Sequence, residues 1–343
     1  FKPFVYSAAL EKGITPTTLV ADEPIFVPAD TPGGKDWSPK NYDGKYDGPM
    51  LLKEGLAKSK NMVSIRVLQE ITPQYGQRWA TQFGFPAANV PPYLTMALGA
   101  VTTNPLQMAS AFAVFANSGY RVKPYLIEKI TDGTGRIVAR ARPAVAGEEA
   151  NRVIDARNAF LTTRLLREVV ERGTATRAKV LNRGDIVGKT GTTNDSHDAW
   201  FAGYNSDISA VAWVGYDQPR NLGARETGGG LALPIWIDYM KVALADSPEK
   251  PQVVPPGIEY IDGNYYYSEY TPGNGVGRID VNGGGDDIPS LFNFLKGLGG
   301  MLEGSGEAPI SGNPTAGDGT SHAAPARPRE QPRDDIERLF GNN

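Results

Sequence analysis

A lysine, two threonines and a glycine follow one another where a strand is predicted to begin. Asp-Ile-Val at 185–187 indicates the strand start, and Lys189, Thr190, Gly191 and Thr192 continue it. Thr190 and Thr192 are two positions apart, so they share one face of a strand. Gly191 has no side chain, which lets a ligand backbone lie against the strand edge. We interpret this stretch as a surface that recognises an anion and an amide, as in a peptide carboxylate; the alternative is a solvated strand end.

A second polar group, Ser59-Lys60-Asn61, lies between two apolar segments with helical periodicity. One set of enzymes whose own nucleophilic serine becomes acylated carries S-x-x-K, S-x-N and K-T-G motifs together. Ser59 and Asn61 fit the second motif, and residues 189–191 fit the third. Serine and asparagine also favour helix starts, so a helix cap is the alternative for Ser59 and Asn61.

The first motif is only partly present. Phe1-Lys2-Pro3-Phe4 resembles the last two positions of S-x-x-K followed by a helix. In a helix, the residue three positions before Lys2 lies one turn away on the same face, within reach of a lysine amine. We therefore expect a nucleophilic serine two residues ahead of Phe1, outside this sequence.

Secondary-structure patterns predict the elements that would position these motifs. Predicted helices cover residues 2–10, 50–58, 62–71, 72–83, 105–117, 155–171 and 233–244. Two hairpins are predicted, at 125–138 and at 198–216, the latter around the turn residues Asn205-Ser206-Asp207. Residues 20–46 are rich in Pro, Gly, Asp and Trp and predict an irregular surface excursion.

Composition excludes several classes of protein. The chain has 343 residues, a net charge of −3, no cysteine and two histidines. The charge argues against nucleic-acid binding, and the absence of cysteine excludes disulfides and a thiol nucleophile. Two histidines give little basis for a histidine-centred triad or metal site, and we expect no metal and no cofactor. No run reaches the ~20 apolar residues of a membrane helix.

The composition changes along the chain and predicts three parts. Residues 1–247 have a globular composition, 248–303 form a Gly- and Tyr-rich extension, and 304–343 are a low-complexity tail. The tail has too few large apolar residues for a packed core, so we expect it to be disordered.

Beyond the three motifs, residues 1 to about 245 resemble the transpeptidase domain of class A, bifunctional penicillin-binding proteins. The similarity rests on the stretches 56–63, 98–100, 188–193, 198–201, 228–229 and 234–236, which occur in the family's order. The resemblance implies an α/β fold of the α+β type, in which helices cover a five-stranded antiparallel sheet. It places the active site at one edge of that sheet.

The resemblance also implies the chemistry. The upstream serine would attack the penultimate carbonyl of a peptidoglycan stem peptide ending in D-Ala-D-Ala, and an amine of a neighbouring stem peptide would resolve the acyl-enzyme. Lys2 would take the serine proton, provided that burial near Lys189 lowers its pKa. Ser59 would relay a proton to the leaving nitrogen while Lys189, at the rim of the site, holds it. Asn61 would hold the substrate amide.

The remaining implied contacts involve the strand. Thr190 and Thr192 would bind the terminal carboxylate beside Gly191, and the N–H of Thr192 would form half of the oxyanion hole. The other half would come from the absent serine. β-Lactams would acylate the same serine because they resemble the D-Ala-D-Ala terminus.

Three alternatives stay open beside the transpeptidase. A β-lactamase of the same fold needs an added carboxylate for deacylation, and Glu148 and Glu149 lie in a polar linker instead. A D,D-carboxypeptidase is harder to separate from a transpeptidase by sequence. A non-catalytic penicillin-binding sensor would keep the fold without needing the proton relay of Lys2, Ser59 and Lys189.

The family further implies surroundings for the domain. These are an upstream glycosyltransferase domain, a membrane anchor, cell-wall synthesis partners and a place on the periplasmic face of the bacterial inner membrane.

Overall fold

The computed structural model describes residues 1–29, 36–147, 150–193, 196–223 and 226–281. The predicted tail at 304–343 and the residues Glu148 and Glu149 lie outside this part of the chain. No helix in these ranges is both long enough and apolar enough to cross a membrane.

The described ranges contain both α-helices and short strands. The α-helices are α1 Lys2–Leu10, α2 Leu52–Ala57, α3 Asn61–Ile71, α4 Pro73–Gln82, α5 Pro105–Ala116, α6 Ala156–Arg172 and α7 Leu233–Ala243. The strands are β1 Ile14–Asp22, β2 Gly48–Leu51, β3 Lys129–Thr131, β4 Ile137–Arg140, β5 Val187–Thr192, β6 Asp198–Tyr204, β7 Ser209–Gly215, β8 Ile258–Ile261, β9 Asn264–Tyr267 and β10 Val276–Ile279. Short 3₁₀ turns occur at Ala87–Asn89, Leu94–Leu98 and Thr176–Leu181, and a π turn at Gly228–Ala232 precedes α7.

Helix α1 is the centre of the core. Pro3 lies in its first turn, where a missing N–H costs no hydrogen bond. All nine residues of α1 are buried, so the helix is enclosed on every side rather than along one stripe. Phe4 packs against Phe83, Phe85, Phe112 and Phe115 with ring centroids 4.9 to 5.6 Å apart. This packing fixes the helix that carries Lys2.

Strands β5, β6 and β7 form an antiparallel sheet in that order. Successive residues of β6 point to opposite faces. Phe201 packs on Trp236 of α7, at 4.9 Å between centroids. Tyr204 faces the other way, and its hydroxyl lies 2.8 Å from that of Thr163 on α6. Helices therefore cover both faces of the sheet. Within the described residues this sheet has three strands, whereas the resemblance implies five.

The turn between β6 and β7 confirms the predicted hairpin. The Asn205 side chain accepts hydrogen bonds from the backbone N–H groups of Asp207 and Ile208, at 3.1 and 2.8 Å. Asparagine is frequent in such turns because its side chain can bond to nearby backbone in this way.

A second sheet, with the order β10–β1–β2, was not predicted from the sequence. β1 pairs in parallel with β10, Ile14 opposite Val276, and antiparallel with β2, Asp22 opposite Gly48. The helix predicted at 50–58 starts only at Leu52, because the residues before it belong to β2. The irregular excursion predicted from residue 20 begins only after Asp22, because residues 20–22 belong to β1.

The predicted hairpin near residue 132 is confirmed as β3 and β4, and residues 124–143 belong to a separate compact unit. Asp132 organises its turn, since its carboxylate accepts from Thr134 N–H and Arg136 N–H at 3.0 Å each.

Candidate active site

The Ser59-Lys60-Asn61 turn joins α2 to α3 in an unusual conformation. Ser59 has a φ of 58°, in the left-handed region that non-glycine residues rarely adopt. The backbone N–H groups of Ser59 and Lys60 bond to the carbonyls of Leu56 and Gly55, at 3.0 and 2.9 Å. The turn thereby wraps over the end of α2 and leaves the Ser59 hydroxyl free to face the site.

The cap interpretation of Ser59 is wrong. The N-cap position of α3 is Lys60, whose side chain makes no capping bond. The N–H of Asn61 is instead bonded by the side chain of Asn41, with 2.8 Å between N and Oδ1. Asn61 itself is the first residue of α3, and its side-chain amide bonds to Lys2 Nζ and to the Lys40 carbonyl.

Two lysine nitrogens flank the Ser59 hydroxyl. Lys189 Nζ lies 2.8 Å and Lys2 Nζ 3.2 Å from Ser59 Oγ. Lys2 Nζ also donates to Asn61 Oδ1 at 2.8 Å and to the Ser59 carbonyl at 2.6 Å. Residues from α1, the α2–α3 turn and β5 therefore converge on one hydroxyl.

Burial changes the protonation of both lysines. Burial lowers the pKa of Lys2 well below its ordinary value, and the neighbouring Lys189 lowers it further while Asp22 opposes this effect. Burial lowers the pKa of Lys189 to about 7. A neutral Lys2 amine has two N–H bonds, and the Ser59 carbonyl and Asn61 Oδ1 can accept both. Its lone pair is then free to take a proton.

Lys189 lies deeper than the rim position expected from the sequence. Its exposed fraction is 4%. The amine reaches the Ser59 hydroxyl and the Thr190 carbonyl, the latter at 3.2 Å.

The edge of β5 presents hydroxyls beside these amines. Thr190 Oγ1 lies 2.7 Å from Thr174 Oγ1, and Thr192 Oγ1 accepts from Gly228 N–H at 3.1 Å. Gly228 must be glycine, because a Cβ there would lie 2.4 Å from the Gly191 carbonyl oxygen. The π turn before α7 therefore packs directly on the K-T-G strand and holds the Thr192 hydroxyl.

All seven predicted site residues line one cavity of about 880 Å³. They are Lys2, Ser59, Asn61, Lys189, Thr190, Gly191 and Thr192. Sequence reasoning missed other lining residues, among them Asn41, Thr174 and Thr227. These three lie outside the motifs, and their residue types alone give no signal. Within the described ranges, no group of three or more His, Asp or Glu side chains has the arrangement of a metal site.

The lowered pKa of Lys189 predicts that the stability of the protein depends on pH. Between about pH 7 and the ordinary lysine value of 10.5, the unfolded chain binds more protons at Lys189 than the folded chain. The free energy of unfolding therefore rises with pH across this window. Below it both states are protonated and the destabilisation is constant.

Urea unfolding of wild type and Lys189→Met at increasing pH checks this expectation. The rise of the unfolding free energy with pH should be clearly smaller in the variant, because it has no ammonium group at position 189 to deprotonate. Parallel curves for the two proteins would show that the Lys189 pKa is not depressed in the folded state.

A family model described as the penicillin-binding protein transpeptidase domain matches residues 1–240. The chain belongs to the penicillin-binding protein transpeptidase family. Penicillin-binding protein 1A of Neisseria lactamica is 47% identical to this transpeptidase domain over 290 residues, covering 84% of this chain and 36% of that protein.

Solved structures show the same relationship. Penicillin-binding protein 1A of Haemophilus influenzae has a TM-score of 0.74 at 37% identity, over 80% of this chain and 47% of that one. PonA1 of Mycobacterium tuberculosis in complex with penicillin V has a TM-score of 0.61 at 26% identity, over 78% and 72%. The expected transpeptidase fold is confirmed. The chain spans about a third of the length of the curated relatives it matches, 36% for the Neisseria protein.

Proposed function

We propose that this chain is the transpeptidase part of a peptidoglycan D,D-transpeptidase that works through a serine acyl-enzyme and is acylated by β-lactams. The observation that carries the proposal is the position of Ser59 Oγ, 2.8 Å from Lys189 Nζ and 3.2 Å from Lys2 Nζ. A hydroxyl between two amines of lowered pKa is suited to moving a proton at neutral pH.

The nucleophile would be a serine two residues before Phe1, one helical turn from Lys2. A serine hydroxyl is a weak nucleophile unless a base removes its proton. The neutral Lys2 amine would accept that proton as the serine oxygen bonds to the penultimate D-Ala carbonyl carbon. The C–O bond forms, the carbonyl electrons move to oxygen, and the N–H of Thr192 with that of the serine would hold the resulting oxyanion.

Collapse of the tetrahedral intermediate would break the C–N bond of the scissile peptide. The leaving nitrogen would receive a proton from the Ser59 hydroxyl, which would be reprotonated from Lys2 or Lys189. The terminal D-Ala departs, leaving an ester. An amine of a second stem peptide would then attack the ester carbonyl and give up its proton through the same groups, forming the crosslink and freeing the serine.

Substrate binding would use the opposite side of the cavity. The terminal carboxylate would lie against the Thr190 and Thr192 hydroxyls, and Asn61 would hold an amide of the stem peptide. Lys189 contributes charge there as well. A bound carboxylate raises the pKa of a nearby lysine, so substrate would itself restore the ammonium of Lys189.

The described part of the cavity favours a transpeptidase over a β-lactamase. Asp43 is the acidic residue among the described lining residues, and its carboxylate is bonded to Lys60 Nζ at 3.1 Å. A β-lactamase needs a carboxylate free to activate the deacylating water, and Asp43 is not free. The intact relay of Lys2, Ser59 and Lys189 likewise favours turnover over a sensor role.

The similarity to penicillin-binding protein 1A supports wider proposals about the whole protein. We infer an upstream glycosyltransferase domain and membrane anchor, a location on the periplasmic face of the bacterial inner membrane, and cell-wall synthesis partners. The three parts predicted from composition, 1–247, 248–303 and 304–343, stay proposals too.

Labelling with a fluorescent penicillin tests the proposed function. A chain starting at Phe1 should form no covalent adduct, whereas the longer protein with the serine should be labelled stoichiometrically. Changing that serine to alanine should abolish labelling. A covalent adduct on the chain as given, mapped by mass spectrometry to Ser59 or to another residue in it, would overturn the assignment of the nucleophile.

A further inference from the structure

A buried polar network lies directly behind the Ser59-Lys60-Asn61 turn. Lys60 Nζ lies 3.2 Å from Asp22 Oδ2. The same nitrogen lies 3.1 Å from Asp43 Oδ2 and 3.2 Å from Asp47 Oδ2. Lys60 is 3% exposed and Asp22 is fully buried. This is an ion pair that the proposed reaction does not use.

Asn41 connects this network to the first turn of α3. Its Nδ2 donates to Asp22 Oδ1 at 2.7 Å and to the Lys45 carbonyl at 2.8 Å. Its Oδ1 accepts from the backbone N–H groups of Asn61 and Met62, at 2.8 and 3.3 Å. Asn41 thus supplies the helix cap that the sequence suggested for Ser59, and it is held in place by Asp22.

Lys40, the residue before Asn41, orients the side-chain amide of Asn61. Asn61 Nδ2 donates to the Lys40 carbonyl at 2.8 Å. Since an amide has its oxygen opposite its nitrogen, this bond turns Asn61 Oδ1 towards Lys2 Nζ, 2.8 Å away. The segment containing residues 40–47, folded around Lys60, therefore sets the direction of a group that contacts the proposed base.

The conformation of Ser59 needs such support. A non-glycine residue at φ 58° persists only where its surroundings determine it. Lys60 follows Ser59 directly, and its anchored side chain fixes the backbone on one side of the strained residue. Asp22 ends β1, which is paired on both edges, so the anchor is part of a sheet rather than a loop.

We propose that Lys60, Asp22 and Asn41 are positioning residues that hold the Ser59 hydroxyl and the Asn61 amide in register with Lys2 and Lys189. The inference rests on the proposed function, whose chemistry it deepens. Buried ion pairs contribute little net stability compared with apolar residues of similar size. A geometric role therefore accounts better for a lysine and an aspartate kept behind the relay.

The test is the kinetics of acylation by a fluorescent penicillin in the longer protein that carries the proposed serine. Lys60→Met should lower the second-order rate constant by about 10²-fold, the cost of a small misplacement of reacting groups. The final labelled fraction should stay complete, because folded molecules still react, only slowly. A purely structural role predicts the reverse, a smaller labelled fraction reacting at the wild-type rate, and would overturn the inference.

A double variant guards against misfolding of the single one. Asp22→Asn with Lys60→Met leaves no fully buried charge behind the turn, since the other two carboxylates near Lys60, on Asp43 and Asp47, are partly exposed. Labelling should remain slow and complete. A return to the wild-type rate would show that the network serves only to neutralise Asp22. Lys60→Arg, which keeps the cation, should recover part of the lost rate.

The matched control is Lys241→Met on the exposed side of α7, which should react like wild type. The proposed function and this inference fail differently. An unlabelled wild-type protein would overturn the proposed function and with it the inference. A labelled wild type with an equally fast Lys60→Met would overturn the inference alone.

Discussion

Replacing Lys2 by methionine in the longer protein is expected to slow penicillin acylation by about 10²- to 10⁴-fold, the contribution of a positioned general base. Methionine fills the buried volume of the lysine stem without an amine, so the packing of α1 should survive. Stopped-flow or gel-based labelling gives the rate constant, and thermal unfolding checks that the variant is folded.

Lys2→Arg separates the base role from a purely electrostatic one. Arginine keeps a positive charge but does not deprotonate in proteins, so it cannot take the serine proton. If Lys2 acts as a base, Lys2→Arg should be as slow as Lys2→Met. A fast Lys2→Arg variant would mean that only the charge at this position matters.

Removing the Ser59 hydroxyl should have an effect of similar size, about 10²- to 10⁴-fold on acylation, because the relay between Lys2 and Lys189 is lost. Two substitutions distinguish this effect from stability. Ser59→Gly relieves the left-handed strain at φ 58°, which costs about 1 kcal/mol or more for a residue with a Cβ. Ser59→Ala keeps the strain.

We therefore expect Ser59→Gly to be at least as stable as wild type in urea unfolding, yet as slow in acylation as Ser59→Ala. Near-native acylation in either variant would remove Ser59 from the proton path. A loss of stability in both, with activity kept, would return Ser59 to a structural role.

The sequence was informative where local chemistry determines structure. Pro3 in the first turn and the apolar run after it predicted α1 with its observed bounds, Lys2–Leu10. Asp155 predicted the start of α6, and its side chain does accept a hydrogen bond from Arg157 N–H. The motifs placed Lys2, Ser59 and Lys189 on three different elements, and the fold brings their side chains together.

What the sequence could not provide depends on long-range pairing. β1 is stabilised by β10 at a distance in sequence that no local pattern reports, so the strand was missed. Asn41 lies in a segment predicted only as irregular, and its function as a cap for α3 depends on the fold bringing residue 41 beside residue 61. The burial of Lys189 could not be predicted for a similar reason. A sequence pattern does not distinguish a strand residue at the rim of a cavity from one that is buried.

The parallel pairing of β1 with β10 has a consequence for how the chain is made. Val276 is synthesised long after its partner Ile14, so during translation one edge of β1 is without its final neighbour. An unpaired strand edge is prone to pair with other chains, and pairings between distant segments form slowly. Strand β1, which ends in Asp22, thus gains its parallel neighbour β10 late in biosynthesis.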